Sequence, residues 1–315
     1  MTTITEVAAK AKSSVTKSFT LNCIGAGRTG STLCRLLSPY ISISQIINRT
    51  ERSAQKAVSF IENGSPLALT TGDFKTLRPA DIWMITCPDD AISELGKALL
   101  ESNILRDGDT IFHCSGALSS KIFDTTGRSK INVASIHPIH SFAQPEKSLT
   151  TFSGTYCAVE GDEAATSLIG PLFESIGALL MPIGHENKVL YHLSTVTACN
   201  YLISLLDLSQ TILAEAGISD IGNTKPLQGL IEKTVDNFFQ GNAQTALTGP
   251  FARGDVSTIA GHLNALKTTP PVWQEVYTSL GHLTLNIARS QGQLPDDNLT
   301  AIADLLDHAQ REQKN

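Results

Sequence analysis

The sequence predicts an α/β domain built on a mainly parallel sheet, followed by an all-α C-terminal domain. Three observations predict it. Short apolar runs bounded by Gly, Pro or Asp recur through the first half, stretches with helical spacing separate them, and after Pro182-Ile183-Gly184 only the helical period remains. Strands that alternate with helices are joined by crossovers, which gives a parallel sheet covered on both faces.

Residues 1–18, rich in Thr, Ser, Ala and Lys, read as a flexible arm. Residues 19–184 make the first domain. Its expected strands are Thr20–Ile24, Ser44–Ile47, Asp81–Thr86, Thr110–His113, Val133–Ile136 and Tyr156–Val159, and its expected helices include Gly30–Leu37, Arg52–Ile61 and Ala91–Leu100. Residues 185–315 make the second. There Glu186–Ala216 reads as one long, largely apolar helix ended by Gly217, and Pro226–Phe239, Val256–Leu266, Pro271–Arg289 and Asp296–Gln310 read as further helices. Two of these begin with proline at or near the first turn, where its missing N–H costs no hydrogen bond.

Composition narrows the function classes. A net charge of -6 with no run of Lys and Arg argues against a nucleic-acid groove, which needs a basic stripe to neutralise phosphates. The six cysteines include no CxxC pair and mostly sit in apolar runs, which points to a reducing compartment and no zinc or other metal. The N-terminus does not resemble a signal peptide, and no segment is expected to supply the ~18–20 uninterrupted apolar residues that span a bilayer. The expectation is a cytoplasmic protein with no membrane and no nucleic-acid partner.

The most informative segment is LNCIGAGRTG, in which Gly25, Gly27 and Gly30 follow a strand and open a helix. Such a turn lets the first glycine bend the chain, the second admit a pyrophosphate and the third pack helix on strand, while the helix N-terminus offers free N–H donors. Gly25, Ala26, Gly27, Arg28, Thr29 and Gly30 are therefore the expected pyrophosphate cradle of a nicotinamide dinucleotide. An acid at the tip of the second strand would favour NAD. Here the tip reads Asn48-Arg49-Thr50, so NADP is expected, with Arg49 on the 2′-phosphate and Asn48 and Thr50 as neutral neighbours. Cys87-Pro88-Asp89 and Cys114-Ser115-Gly116 follow later strands at the ligand-bearing edge of the sheet, so Cys87, Pro88 and Asp89 are expected beside the cofactor and Ser115 beside the substrate.

Three clusters carry the candidate chemistry. In Ser135-Ile136-His137-Pro138-Ile139-His140-Ser141-Phe142, the proline holds His137 extended at a strand end, where an imidazole can exchange a proton near neutral pH. On the long helix, Lys188 and His192 share a face, with Tyr191 adjacent and Asn200 at the edge of that face. In Ala246–Asp255, Arg253 has the fork to grip a substrate carboxylate, or it pairs with Asp255 and holds a loop.

The combination of GAGRTG, HCSG, HPIHSF, VEGD at Val159–Asp162, the YH…CNY helix and ALTGPFARGD resembles a family of oxidoreductases inferred from sequence, which join a Rossmann-like domain to a helical C-terminal domain of unknown function. The similarity runs from about residue 19 to about residue 285, and ALTGP followed by RGD is its most specific part. It implies a fold related to pyrroline-5-carboxylate reductase, ketopantoate reductase and the β-hydroxyacid dehydrogenases, in which the helical domain forms the homodimer and closes over the nicotinamide. Prephenate dehydrogenase is similar more loosely, through His137-Pro138 and His192, but its glycine after the HP pair and its HD pair are replaced by His140-Ser141 and His192-Leu193. The β-hydroxyacid dehydrogenases place Asn or Asp four residues after their catalytic lysine; here His192 follows Lys188.

The resulting expectation is an NADP(H)-dependent reductase of a small, carboxylate-bearing carbonyl or imine compound. His137 or His192 supplies the proton, Lys188 and Asn200 orient the polarised atom, and Arg253 anchors the carboxylate. The alternatives are a non-catalytic NADP-binding sensor and an oxidative enzyme of the prephenate dehydrogenase type.

Overall fold

A computed structural model describes residues 19–62, 67–70, 74, 77–127, 130–218 and 226–314, so the expected arm over residues 1–18 lies outside the described residues. The chain divides into two compact units, residues 1–200 and 201–315. The change of period at residue 184 therefore precedes the division, because the first turns of the long helical stretch belong with the sheet.

In the first unit, strands β1 (Thr20–Ile24), β2 (Ser42–Asn48), β3 (Leu67–Thr70), β4 (Ile82–Ile85), β5 (Thr110–His113), β6 (Asn132–Pro138), β7 (Tyr156–Gly161) and β8 (Leu179–Pro182) form one sheet in the order β3-β2-β1-β4-β5-β6-β7-β8. All neighbours are parallel except β6 and β7. Helices α1 (Arg28–Leu37), α2 (Glu51–Ile61), α3 (Asp89–Glu101), α4 (Pro145–Thr151) and α5 (Glu163–Ser175) cover it. This is the α/β class that the alternation predicts. The central strand shows why both faces are covered: Ile82 and Met84 enter one apolar cluster with Leu21, Ile46 and Phe112, while Trp83 and Ile85 enter the other with Ile24, Ile47 and Ile111. Side chains alternate across a strand, so a continuous apolar run feeds two cores at once. Each buried residue of this size stabilises the fold by roughly 1.5–3 kcal/mol.

β3, β8, α4 and α5 go beyond the expected elements. In α5 the sequence signal is broken by Pro171 inside the helix, and β8 is an apolar run of only four residues that ends in proline.

The first unit closes with α6 (Lys188–Thr195) and a π-helical stretch, Val196–Asn200; the second opens with α7 (Tyr201–Glu215). The expected single helix over Glu186–Ala216 is thus interrupted by one π segment, and its end at Gly217, φ +83°, is where predicted. Helices α8 (Gln228–Gln240), α9 (Ala243–Ala246), α10 (Pro250–Arg253), α11 (Val256–Leu266), α12 (Pro271–Gln291) and α13 (Asp296–Lys314) complete the second unit. Its core joins Ile259, Leu263, Leu285, Ala288, Leu299, Ile302 and Leu306. By length and composition alone, the helical stretch His185–Glu215 could cross a bilayer, with a window of mean hydropathy 1.3 that is not buried within the chain. The stretch is not an uninterrupted apolar run, since His192, Ser194, Thr195, Thr197 and Asn200 fall within it. Its polar residues are largely hydroxyl-bearing or neutral and lower the mean little.

Candidate functional site

The glycine-rich turn has the geometry its sequence requires. Gly25 adopts φ +87°, and a Cβ there would stand 2.7 Å from the Cys87 nitrogen, so both conformation and space exclude a side chain. At Gly30 a Cβ would overlap Thr86 Oγ1 and stand 3.1 Å from the Gly25 carbonyl oxygen. Gly25 N–H donates to the Ile47 carbonyl at 2.8 Å, which ties the turn to β2. Gly27 caps α1 without a side-chain hydrogen bond, leaving first-turn N–H groups and the dipole for an anion. A Cβ at Gly27 would meet only the Gly25 carbonyl oxygen, at 3.9 Å, so the turn is open beside the first turn of α1 and has room for a pyrophosphate there.

The tip of β2 divides its three residues between roles. Arg49 is exposed and keeps its guanidinium at the surface. Asn48 is buried and its Nδ2 donates to the Ala26 carbonyl at 3.4 Å, so it holds the glycine turn from within. Thr50 caps α2 by accepting from Ser53 N–H at 3.2 Å.

At the C-terminal ends of the strands lies a cleft of about 400 Å³ lined by Arg28, Thr29, Cys114, His137, Pro138 and His140, among others. The first turn of α1 and the strand end after β6 thus face the same space. Cys87 backs the glycine turn and Pro88 is exposed ahead of α3. Asp89, the first residue of α3, accepts from Ser115 Oγ at 2.7 Å. Ser115 Oγ also accepts from Ala117 N–H at 3.2 Å and Leu118 N–H at 3.0 Å. The Ser115 hydroxyl, expected beside the substrate, is committed to folding the loop after β5.

The structure gathers Lys188, Tyr191, His192 and His137 around that loop. Lys188 is only 1% exposed, and its Nζ donates to the Ser115 carbonyl at 2.9 Å and the Ser135 hydroxyl at 2.6 Å. Burial pulls its pKa down to about 8, against the opposing pull of Glu160, Cys114 and Asp89. The His137 and His192 rings meet edge to face with centroids 5.8 Å apart. A side chain at Gly116 would overlap His192 Nδ1 and lie 3.0 Å from His137 Cε1 and Nε2, so only glycine admits the pair. His137 Nδ1 is 2.7 Å from the Tyr191 hydroxyl. Burial first, then the Lys188 charge and His192, pull the His137 pKa down to about 4, with Asp89 opposing. His137 is therefore neutral at pH 7.

Two candidates remain. Asn200 is exposed at the end of the π-helical stretch. Arg253, in the second unit, pairs with Asp255 through Nε at 3.1 Å and Nη2 at 2.9 Å, with its side chain 64% exposed. Of the two roles open to it, the structure displays the loop-holding one. Ser135 escaped sequence reasoning; its only signal was its place two residues before His137. Among the described residues no cluster of His, Cys, Asp and Glu could hold a metal.

Residues 155–284 match the family model of DUF2520, a domain of unknown function. The matched segment begins at β7, within the sheet, and runs into α12 of the second unit. No curated protein matches the sequence. Among solved structures it is similar to protein TM1727 of Thermotoga maritima, 26% identical over 87% of this chain and 100% of that one, with a TM-score of 0.64. It is also similar to the inferred NADP oxidoreductase BF3122 of Bacteroides fragilis, 22% identical over 88% and 99%, TM-score 0.66. A reductive aminase of Aspergillus terreus, solved with NADPH and ethyl-5-oxohexanoate, shares the fold at 14% identity over 94% and 95%, TM-score 0.51. The last two establish likeness of fold.

Proposed function

We propose that this protein is an NADP(H)-dependent oxidoreductase that reduces a C=O or C=N group of a small, carboxylate-bearing metabolite. One observation carries the reading: a glycine turn shaped for a pyrophosphate and a neutral, half-buried histidine line the same cleft. The fold shared with BF3122, named as an NADP oxidoreductase, and with a reductase solved with NADPH supports the class.

Gly25, Gly27 and Gly30 with the first turn of α1 hold the pyrophosphate, and Arg49 meets the 2′-phosphate at the tip of β2. The bound nicotinamide supplies the hydride. The chain's own residues handle the other half of the reduction, polarising the oxygen or nitrogen and delivering a proton to it. His137 lines the cleft and His192 packs against it, so this task falls to the pair. Lys188, with two donors spent on Ser115 and Ser135, acts through the loop and through its charge rather than on substrate. Arg253 serves as the carboxylate anchor if the carboxylate shares or displaces its pairing with Asp255. Exposed apolar side chains of the second unit, among them Leu230, Phe238, Phe239 and Leu283, form the surface on which a second copy packs to make a homodimer. The scattered free cysteines suit a cytoplasmic setting.

A panel of small keto acids and imines, followed through NADPH absorbance, tests the reading. Turnover that survives His137→Ala, His192→Ala and Lys188→Ala alike refutes the site. Tight NADPH binding with no oxidation across the panel favours a non-catalytic sensor instead.

A further inference from the structure

Tyr191 received no role from its sequence beyond its place beside His192, yet it makes the one hydrogen bond that decides what His137 can do. Its hydroxyl lies 2.7 Å from His137 Nδ1, and the two rings meet edge to face at 5.6 Å. Burial pushes the phenol up to about 12, so the hydroxyl keeps its proton at neutral pH. Among the described residues, the hydrogen-bond partner shown for that hydroxyl is Nδ1, and a half-buried O–H without an acceptor is costly. The phenol therefore donates and Nδ1 accepts. A neutral imidazole whose Nδ1 accepts carries its hydrogen on Nε2.

We infer that Tyr191 is a positioning residue that fixes His137 as the Nε2–H tautomer and so makes it a hydrogen-bond donor to the substrate's carbonyl oxygen or imine nitrogen. The inference rests on the proposed reduction for its functional meaning, but the tautomer is a property of the folded chain alone. The reverse arrangement, with Nδ1–H donating to the phenol, would turn a bare Nε2 lone pair towards the substrate and repel the atom to be polarised. The charged and titratable groups facing the ring act in concert with Tyr191. Lys188 on α6, His192 on α6 and His113 on β5 all disfavour a second proton, and only Asp89 on α3 favours it. A donor on Nε2 with no positive charge stabilises charge developing on the substrate atom without needing acid pH.

The tautomer is read directly by long-range proton–nitrogen NMR of the full-length protein labelled with ¹⁵N-histidine. At pH 7 the His137 ring is expected to show a protonated Nε2 and a bare, hydrogen-bonded Nδ1. In Tyr191→Phe the neutral form loses its partner, so His137 takes up a proton at higher pH than in the wild type and its tautomers mix. The acidic limb of the kcat profile moves up with it, and kcat falls roughly tenfold, as loss of about one hydrogen bond's worth of transition-state stabilisation implies. NADPH affinity stays within about twofold, since the hydrogen bond and ring contact of Tyr191 are made with His137 and not with Gly25, Gly27 or Gly30. A wild-type ring protonated on Nδ1, or a Tyr191→Phe protein whose His137 tautomer and titration are unmoved, overturns the inference. Absence of turnover on every substrate would refute the proposed reduction while leaving the ring's tautomer fully readable, so the two failures are distinct.

Discussion

Lys188→Met tests the buried ammonium most sharply. The substitution keeps the length of the stem and removes the charge, taking the ammonium from the Ser115 carbonyl and the Ser135 hydroxyl, which keep only a long hydrogen bond from Ser135 Oγ to the Ser115 oxygen at 3.5 Å. Loss of the two short bonds to the ammonium costs about 1–3 kcal/mol, partly offset because Met tolerates burial far better than an ammonium does. The more discriminating quantity is the pH dependence. The folded pKa is about 8 against an ordinary 10.5, a difference equivalent to about 3 kcal/mol. Between those values the unfolded chain holds a proton that the folded chain has released, so wild-type stability rises with pH across that window. Groups whose folded pKa is raised act in the opposite sense: Cys87 at about 11 and Tyr191 at about 12 lose stability as pH climbs above their unfolded values. Both proteins share these groups, so the difference between them isolates Lys188. Urea unfolding of wild type and Lys188→Met at pH 7, 8.5 and 10 should show the wild-type advantage growing by about 2–3 kcal/mol from the lowest to the highest pH. An advantage that stays flat, or shrinks, would mean the ammonium is solvated and does not sit against Ser115 and Ser135.

The remaining predictions concern close approaches. Gly30→Ala places a methyl into Thr86 Oγ1 and beside the Gly25 carbonyl, and it should cost about 1–3 kcal/mol in denaturant unfolding and weaken dinucleotide binding in the same protein. A Gly30→Ala protein of wild-type stability would show that α1 does not lie so close to β1 and β4. Gly116→Ala should displace His192 and lower kcat at least about tenfold, because a shift of about 1 Å at a proton-handling group is enough to do so, while NADPH affinity is kept. Unchanged kcat there would remove the His137–His192 pair from the chemistry.

Much of the fold is legible in the sequence because its determinants are local. The glycine turn, β4 and the end of the long stretch at Gly217 follow from φ preferences and from apolar runs of known length. Elements with weaker signals are less legible: α5 carries Pro171 within it, and β8 is only four residues long and ends in proline. The candidate site shows the same contrast. The 3.6-residue period places Lys188 and His192 on one face. It leaves open whether that face meets a ligand or the protein, which is settled by Ser115 and Ser135, 73 and 53 residues away in the chain. Ser115 and Asn48 look like ligand-facing polar residues by position, yet each spends its side chain on backbone or side-chain groups brought near by the fold. For Arg253 the sequence offers two partners, and the nearer one, Asp255, takes it.

The central claim is that the turn at Gly25–Gly30 and the arginine at the tip of β2 together hold NADP(H). Calorimetric titration of the purified protein with NADPH and NADH, repeated on Arg49→Ala, tests it most directly. The account predicts that NADPH binds at least about tenfold tighter than NADH, and that Arg49→Ala weakens NADPH by a similar factor while leaving NADH within about twofold, the scale of one charge-assisted guanidinium–phosphate contact. Equal affinity for the two dinucleotides would contradict the role of Arg49, and binding of neither would contradict the claim itself.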